Sequence, residues 1–261
     1  MTETAVTGTG LLQGKVIVVT GAAGGIGKAT AINALNEGAV VIATGANPGE
    51  VDALSAETDA PGWQVRLLDV RAAAQVKAVA TEIFATFGAI DGLVNSAGIL
   101  IPGNLSDSTE SEYDRIFDVN VRGTYLTCQA FLPAMLGSGS GSIVNIGSIN
   151  SLAAEPQLAL YTASKGAVLM LTRAIAIDYA AQGIRANTVC PGFVDTPFNR
   201  PHYELLGGRA LLEAALPDFH PIGRAIEALE VAQAIAFLLS DSSRAITGTA
   251  LVIDGGALAK A

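Results

Sequence analysis

Cysteine and histidine are nearly absent, with two of each in 261 residues. Two thiols, Cys128 and Cys190, cannot build a disulfide framework. No CxxC or HxxxH spacing offers a zinc site, and no carboxylate–histidine cluster has the spacing of a metal site, so no metal is expected. Basic residues are also scarce: Lys plus Arg is 15 against 24 Asp plus Glu, a net charge of −9. That balance argues against nonspecific binding to nucleic acid or to an anionic membrane. No apolar run approaches the roughly 18 residues of a membrane span. Residues 1–10 have neither the basic start nor the apolar stretch of a secretory signal. A soluble cytoplasmic protein is expected, with residues 1–12 a flexible tail.

What the chain does have is apolar surface to bury. Half of its residues are hydrophobic and only 15% are charged. A chain of this length buries roughly three quarters of its unfolded surface, so residues 13–261 are expected to form one domain. Short apolar runs at 15–20, 40–44, 64–68, 92–95, 142–146, 185–189 and 251–253 read as buried parallel strands. Amphipathic stretches at 26–36, 73–87, 110–136, 158–181 and 230–239 alternate with them, and Gly38 and Gly183 stand where helix stops belong. The alternation predicts an α/β fold: a Rossmann-type, doubly wound parallel sheet of seven strands with helices on both faces. One long interruption, around residues 197–224, lies beyond a strand's carboxyl end, where a substrate lid is expected. Trp63, Cys128 and Cys190 read as packing residues, and His202 and His220 as surface residues of that lid.

Two constellations carry chemistry. The first strand runs into Thr20-Gly21-Ala22-Ala23-Gly24-Gly25-Ile26-Gly27 and then a helix. Glycines let the backbone approach a pyrophosphate, and a helix N-terminus supplies oriented N–H donors. A tight strand-to-helix turn without a ligand would use the same residues, but in the first βα turn of a doubly wound sheet the dinucleotide reading prevails. Tyr161 and Lys165 form Y-x-x-x-K, which places both on one helix face about a turn apart. A phenol with a pKa of about 10 is a poor base at neutral pH, and a nearby ammonium favours its ionised form. Tyr161 would then exchange a proton with a hydroxyl or carbonyl oxygen that Ser148 orients. Alone, Tyr161 would be a packed aromatic and Lys165 a solvated charge; beside the glycine turn they are not read so.

These residues bring the chain into resemblance with the short-chain dehydrogenase/reductase family, over residues 12–256. The motifs are T-G-A-A-G-G-I-G at Thr20–Gly27, L-D-V at Leu68–Val70, N-S-A-G at Asn95–Gly98 and V-N at Val119–Asn120. Ser148, Y-T-A-S-K at Tyr161–Lys165, P-G-F-V-D-T at Pro191–Thr196 and I-D-G-G at Ile253–Gly256 complete the series.

The resemblance implies a nicotinamide-dependent oxidoreductase with Asn120, Ser148, Tyr161 and Lys165 as its catalytic tetrad. Lys165 would bind the nicotinamide ribose and depress the pKa of Tyr161, and Asn120 would hold a water between Lys165 and solvent. NAD(H) or NADP(H) would lie against Gly21, Gly24, Gly25, Ile26 and Gly27, with Gly45 at its adenosine ribose. Asp69 and Val70 would flank the adenine, and Asn95, Ala97 and Gly98 would line the cleft. Pro191, Gly192, Val194 and Thr196 would face the nicotinamide, the last two at its carboxamide. Relatives of this kind are commonly homotetramers that use the two long helices and the last strand.

The substrate would be a small secondary alcohol or ketone; the stretch 183–198 resembles relatives acting on polyols, hydroxy acids and sugar-derived acids. A 3-oxoacyl reductase uses the same tetrad but needs a basic surface for its acidic carrier. A non-catalytic dinucleotide sensor would have lost the tyrosine or lysine. One departure stands out at the ribose. NAD-preferring relatives carry an acid at the end of the second strand, where this chain has Gly45, and the basic residues of NADP-preferring relatives are missing as well. The two cofactors are therefore expected to be discriminated by less than about 100-fold. An aspartate at position 45 is expected to restore a strong NAD preference.

Overall fold

The computed structural model describes residues 10–205 and 207–260. Most of the tail expected over residues 1–12 lies outside them. Its end belongs to the fold: Leu12 is fully buried and its amide donates to the Glu37 carbonyl at 3.1 Å.

Seven strands form one sheet: β1 (Val16–Thr20), β2 (Val40–Gly45), β3 (Trp63–Leu67), β4 (Gly92–Asn95), β5 (Gly141–Ile146), β6 (Ile184–Pro191) and β7 (Ala250–Ile253). All are parallel, in the order β3-β2-β1-β4-β5-β6-β7. Strand side chains alternate between faces, so the V-I-V-V run of β1 serves two cores. Ile17 and Val19 join one cluster, and Val16 and Val18 the other. The first cluster is covered by α1 (Gly25–Asn36), α2 (Pro48–Ser55) and α9 (Ala228–Leu239). The second is covered by α3 (Ala73–Phe87), α5 (Gly123–Ser138) and α6 (Ala159–Tyr179). The doubly wound sheet is as expected.

Three elements differ from the sequence expectation. Helix α2 was not anticipated, because it is short and buries only Leu54. Its signals are local: Asn47 accepts the Glu50 amide at 3.1 Å as N-cap, and Pro48 opens the helix. Trp63 locks it down by donating its indole N–H to the Leu54 carbonyl at 2.9 Å.

The helix expected over 110–136 is not continuous. It divides into α4 (Glu110–Phe117), a π turn at Asp118–Arg122, and α5. Asn120 sits in that turn with its side-chain amide bonded to the backbone of Ile99, and π turns of this kind are common at functional sites. Finally, the segment after β6 is largely helical, with a 3₁₀ turn at Pro197–Asn199, α7 (Arg200–Leu205) and α8 (Arg209–Phe219).

Gly92 shows how tightly α9 closes on one face of the sheet. A Cβ there would lie 2.6 Å from Ile17 Cδ1 and 2.8 Å from Leu239 Cδ2, both in fully buried residues or nearly so. Gly92→Ala is expected to cost about 1–3 kcal/mol through overpacking, read as a lower urea midpoint at unchanged slope.

Candidate active site

Strand order reverses between β1 and β4, so their following loops part and leave a crevice at the carboxyl edge of the sheet. A cavity of about 780 Å³ opens there, within the size class of cofactor pockets. Gly21, Gly24, Gly25 and Ile26 form one wall. Gly21 has φ +63°, and a Cβ on it would stand 2.7 Å from the Ala97 Cα, so two βα turns touch backbone to backbone. Around Gly24 the Cβ position is open space, which leaves the chain approachable. Gly24 caps α1 without a side-chain hydrogen bond, so no cap side chain competes for the first-turn amides. An anionic pyrophosphate fits such a cradle.

Asp69, Val70, Ala97 and Gly98 continue the wall, and Pro191, Gly192, Val194 and Thr196 face it. The Thr196 side chain comes within 3.4 Å of the Gly25 Cβ position, across the crevice.

Not every residue expected at the cofactor lines this cavity. Gly27 instead lets α1 settle on the Gly21 carbonyl, which a side chain would strike. Asn95 is buried beneath the crevice: its Nδ2 donates to Asn145 Oδ1 at 2.8 Å, and its Oδ1 accepts from the Thr127 hydroxyl at 2.7 Å. Gly45 is displaced from the wall by Glu50, one helical turn into α2. A Cβ on Gly45 would lie 2.7 Å from Glu50 Cβ, so the aspartate expected to act at position 45 does not fit. Ala46 and Glu50 line the cavity there. A reading confined to the strand end missed Glu50; the Asn47-Pro48 helix start was its only signal.

Ser148, Tyr161 and Lys165 converge at the other end of the cavity. Ser148 follows β5, and its Oγ accepts the Asn150 amide and donates to Asn150 Oδ1, both at 3.1 Å. Lys165 Nζ lies 5.7 Å from the centre of the Tyr161 ring and donates to the Ile146 carbonyl at 2.7 Å. Burial lowers the Lys165 pKa to about 8.

Burial acts on Tyr161 in the opposite sense, pushing its phenol above the ordinary value, while the Ser148 hydroxyl pulls it back. Desolvation of this nearly enclosed phenol is the larger of the two influences. Asn120 does not line the cavity. Its Oδ1 accepts from the Ile99 amide at 2.8 Å, and its Nδ2 donates to the Ile99 carbonyl and to Ser164 Oγ at 3.0 and 3.1 Å. The Cβ position of Gly98 lies 3.3 Å from Asn120 Oδ1 and 3.7 Å from Lys165 Nζ, so both side chains border Gly98.

The segment after β6 closes the cavity with Phe198, Asn199, His202, Leu212 and Phe219. The Phe198 ring stands 6.1 Å from that of Tyr161. Asn150 and Glu155, which no motif signalled, add polar groups on the opposite side, joined at 3.3 Å. His220 is not the surface residue expected. It is fully buried, accepts the Phe193 amide on Nε2 at 3.1 Å and places Nδ1 2.8 Å from the Arg224 carbonyl. With Nε2 accepting, Nδ1 carries the proton.

Cys128 and Cys190 are buried, and burial pushes the Cys128 thiol up to about 12, which suits an inert packing residue. Among the described residues, no group of His, Cys, Asp and Glu could hold a metal ion.

Comparison with known proteins agrees with this geometry. A family model described as enoyl-(acyl carrier protein) reductase matches residues 21–257. The chain is 42% identical over 248 residues to dehydrogenase/reductase SDR family member 6 of Rattus norvegicus, covering 95% of this chain and 98% of that one. It is 40% identical to a 2-keto-3-deoxy-L-fuconate dehydrogenase of Xanthomonas campestris, covering 94% and 80%. A solved gluconate 5-dehydrogenase from Burkholderia cenocepacia, in complex with NADP and tartrate, superposes with a TM-score of 0.89 at 34% identity, covering 95% and 96%.

Two outcomes are expected. The buried Lys165 ammonium binds its proton less well folded than unfolded, so it weakens the fold at neutral pH by roughly 3 kcal/mol. That cost is full below pH 8 and vanishes as pH rises past the unfolded value of about 10.4. Lys165→Met should therefore raise Tm at neutral pH, with a gain that shrinks toward alkaline pH. His220→Ala should leave Tyr161 in place but free the Phe193 amide, raising KM for substrate several-fold and speeding proteolysis between residues 197 and 224.

Proposed function

The chain belongs to the short-chain dehydrogenase/reductase family, and from that premise we propose how its own residues carry out nicotinamide-dependent oxidation and reduction. The observation that carries the reading is the meeting of Ser148, Tyr161 and Lys165 in the same cavity as the Gly21–Ile26 turn. A bound NAD(H) or NADP(H) supplies the hydride acceptor or donor. The α1 amides hold its pyrophosphate, Val70 and Asp69 lie at its adenine, and Val194 and Thr196 hold its carboxamide. Lys165 binds the nicotinamide ribose, and Asn120, through Ile99 and Ser164, keeps the backbone behind Lys165 in position.

Ser148 Oγ hydrogen-bonds the substrate oxygen. In reduction, the Tyr161 hydroxyl gives its proton to that oxygen; in oxidation, the phenolate takes the proton from the alcohol. The phenol, held above its ordinary pKa, carries the proton it gives in reduction. The segment 197–224 acts as a lid over the substrate, within a single domain that runs from residue 13 onward.

The substrate is a secondary alcohol or ketone of a small polar molecule: a polyol, a hydroxy acid or a sugar-derived acid. Asn150, Glu155 and His202 beside Phe198, Leu212 and Phe219 supply both polar contacts and apolar cover. The fuconate and gluconate dehydrogenases among its relatives support the same class. A 3-oxoacyl reductase is the second reading, favoured by the carrier-protein reductase model and opposed by the net charge of −9.

The enzyme is proposed to be cytoplasmic and homotetrameric. No helix of the described residues is long and apolar enough to cross a membrane. Tyr125 on α5, Met170 and Ile177 on α6, and Val252 on the edge strand β7 are exposed apolar groups suited to subunit contacts.

Tyr161→Phe is expected to bind NADH and NADPH as the parent does and to lose turnover by about 10²–10⁴, the range for general acid–base catalysis. Near-normal turnover would remove Tyr161 from the mechanism. Alcohol oxidation needs the phenolate, so its kcat/KM should keep rising with pH up to and beyond about 10, the ordinary phenol value, while ketone reduction does not. A panel of polyols, hydroxy acids, sugar acids and carrier-bound 3-oxoacyl groups separates the two substrate readings.

A further inference from the structure

We propose that Glu50 reads the adenosine ribose and makes the enzyme prefer NAD(H) over NADP(H), from a position on α2 rather than on the sheet. The inference rests on dinucleotide binding in the crevice and goes beyond it by fixing which dinucleotide. At the end of β2 the backbone turns from Gly45 to Ala46, and the ordinary place for an acid is a glycine. The carboxylate has not been lost from the site. Glu50 Oε2 accepts from the Ala46 amide at 2.7 Å, and Oε1 accepts from Asn47 Nδ2 at 2.7 Å.

Those two bonds hold a half-buried carboxylate against the strand end and on the cavity wall. Asn47 in turn accepts the Glu50 amide at 3.1 Å, so cap and carboxylate fix each other. Gly45 is the counterpart of this arrangement. Its missing Cβ is what admits the Glu50 side chain, since the two Cβ positions would stand 2.7 Å apart.

The charges around Glu50 favour a neutral ribose. Arg71 lines the same end of the cavity, but its guanidinium clasps Asp69, with Nε 2.9 Å from Oδ1 and Nη2 2.7 Å from Oδ2. Lys28, on α1, pairs with Glu57 at 2.6 Å. Arg115 lines the cavity from α4. A 2′-phosphate would therefore meet an anchored carboxylate beside an arginine already paired. A 2′-hydroxyl would find an acceptor, because each Glu50 oxygen keeps lone pairs beyond the single bond it accepts. Repulsion between like charges on a partly exposed surface is modest and screened by salt.

The test is a binding titration without substrate, following the fluorescence of NADH and NADPH on the parent, Glu50→Gln and Glu50→Ala proteins at low ionic strength. The parent should bind NADH at least about 10-fold tighter than NADPH, equivalent to about 1.4 kcal/mol. Glu50→Gln keeps the acceptor for Ala46 and removes the charge, so NADPH affinity should rise at least about 5-fold while NADH changes less. Glu50→Ala removes both, so NADPH should tighten and NADH weaken. The parent's preference should also narrow as salt is raised, which a purely steric block would not do.

Equal affinities in the parent, or an unchanged ratio in Glu50→Gln, would overturn the role of Glu50 and leave the proposed function standing. So would a preference for NADPH that disappears in Arg71→Ala or Arg115→Ala, because a cation would then be the reader. Failure of both dinucleotides to bind would overturn both readings together.

Discussion

An ammonium group kept from water at the carboxyl edge of the sheet constrains everything near it. Lys165 is only 5% exposed, and its ammonium donates to the Ile146 carbonyl at the end of β5. A charge so placed is held only if the elements around it cannot shift. Ser151 Oγ ties the Lys165 carbonyl to the turn after β5 at 2.9 Å. One residue earlier, Ser164 Oγ donates to the Tyr161 carbonyl and accepts from Asn120. Asn120 grips both backbone groups of Ile99, in the loop after β4. A single polar chain thus fixes α6, the π turn and two strand-end loops to one another, and the fold gives up stability to hold a positive charge beside a phenol.

The same edge is built twice over from small residues and amides. Beneath it, Asn95, Asn145, Thr127 and Thr172 satisfy one another between β4, β5 and the covering helices, so polar side chains occupy a core layer without orphaned charge. Above it, Gly21 and Ala97 touch backbone to backbone, which leaves the α1 amides facing the crevice. Catalytic end and phosphate end are rigid for different reasons: one is a hydrogen-bonded chain, the other a steric fit that tolerates no Cβ. The substrate side differs from both, being closed by α7 and α8 and pinned by the buried imidazole of His220.

Local signals settled much of this protein. Continuous short apolar runs between amphipathic stretches specify parallel strands buried on both faces, because a strand such as β1 must feed two cores. The glycine turn and the Y-x-x-x-K spacing are short-range facts of one turn and one helix, and both survive intact in the cavity wall. Other features depended on contacts between residues distant in sequence. Asn120 in the π turn bonds Ile99 across the fold, and the buried His220 meets the backbone groups of Phe193 and Arg224. The rise in the Tyr161 pKa comes from enclosure that no spacing encodes. Glu50 reaches the ribose end only because α2 folds back over Gly45. Sequence alone determined which backbone could form and which chemical groups it would carry; the tertiary structure decided which of them meet, because desolvation and close contact act through space.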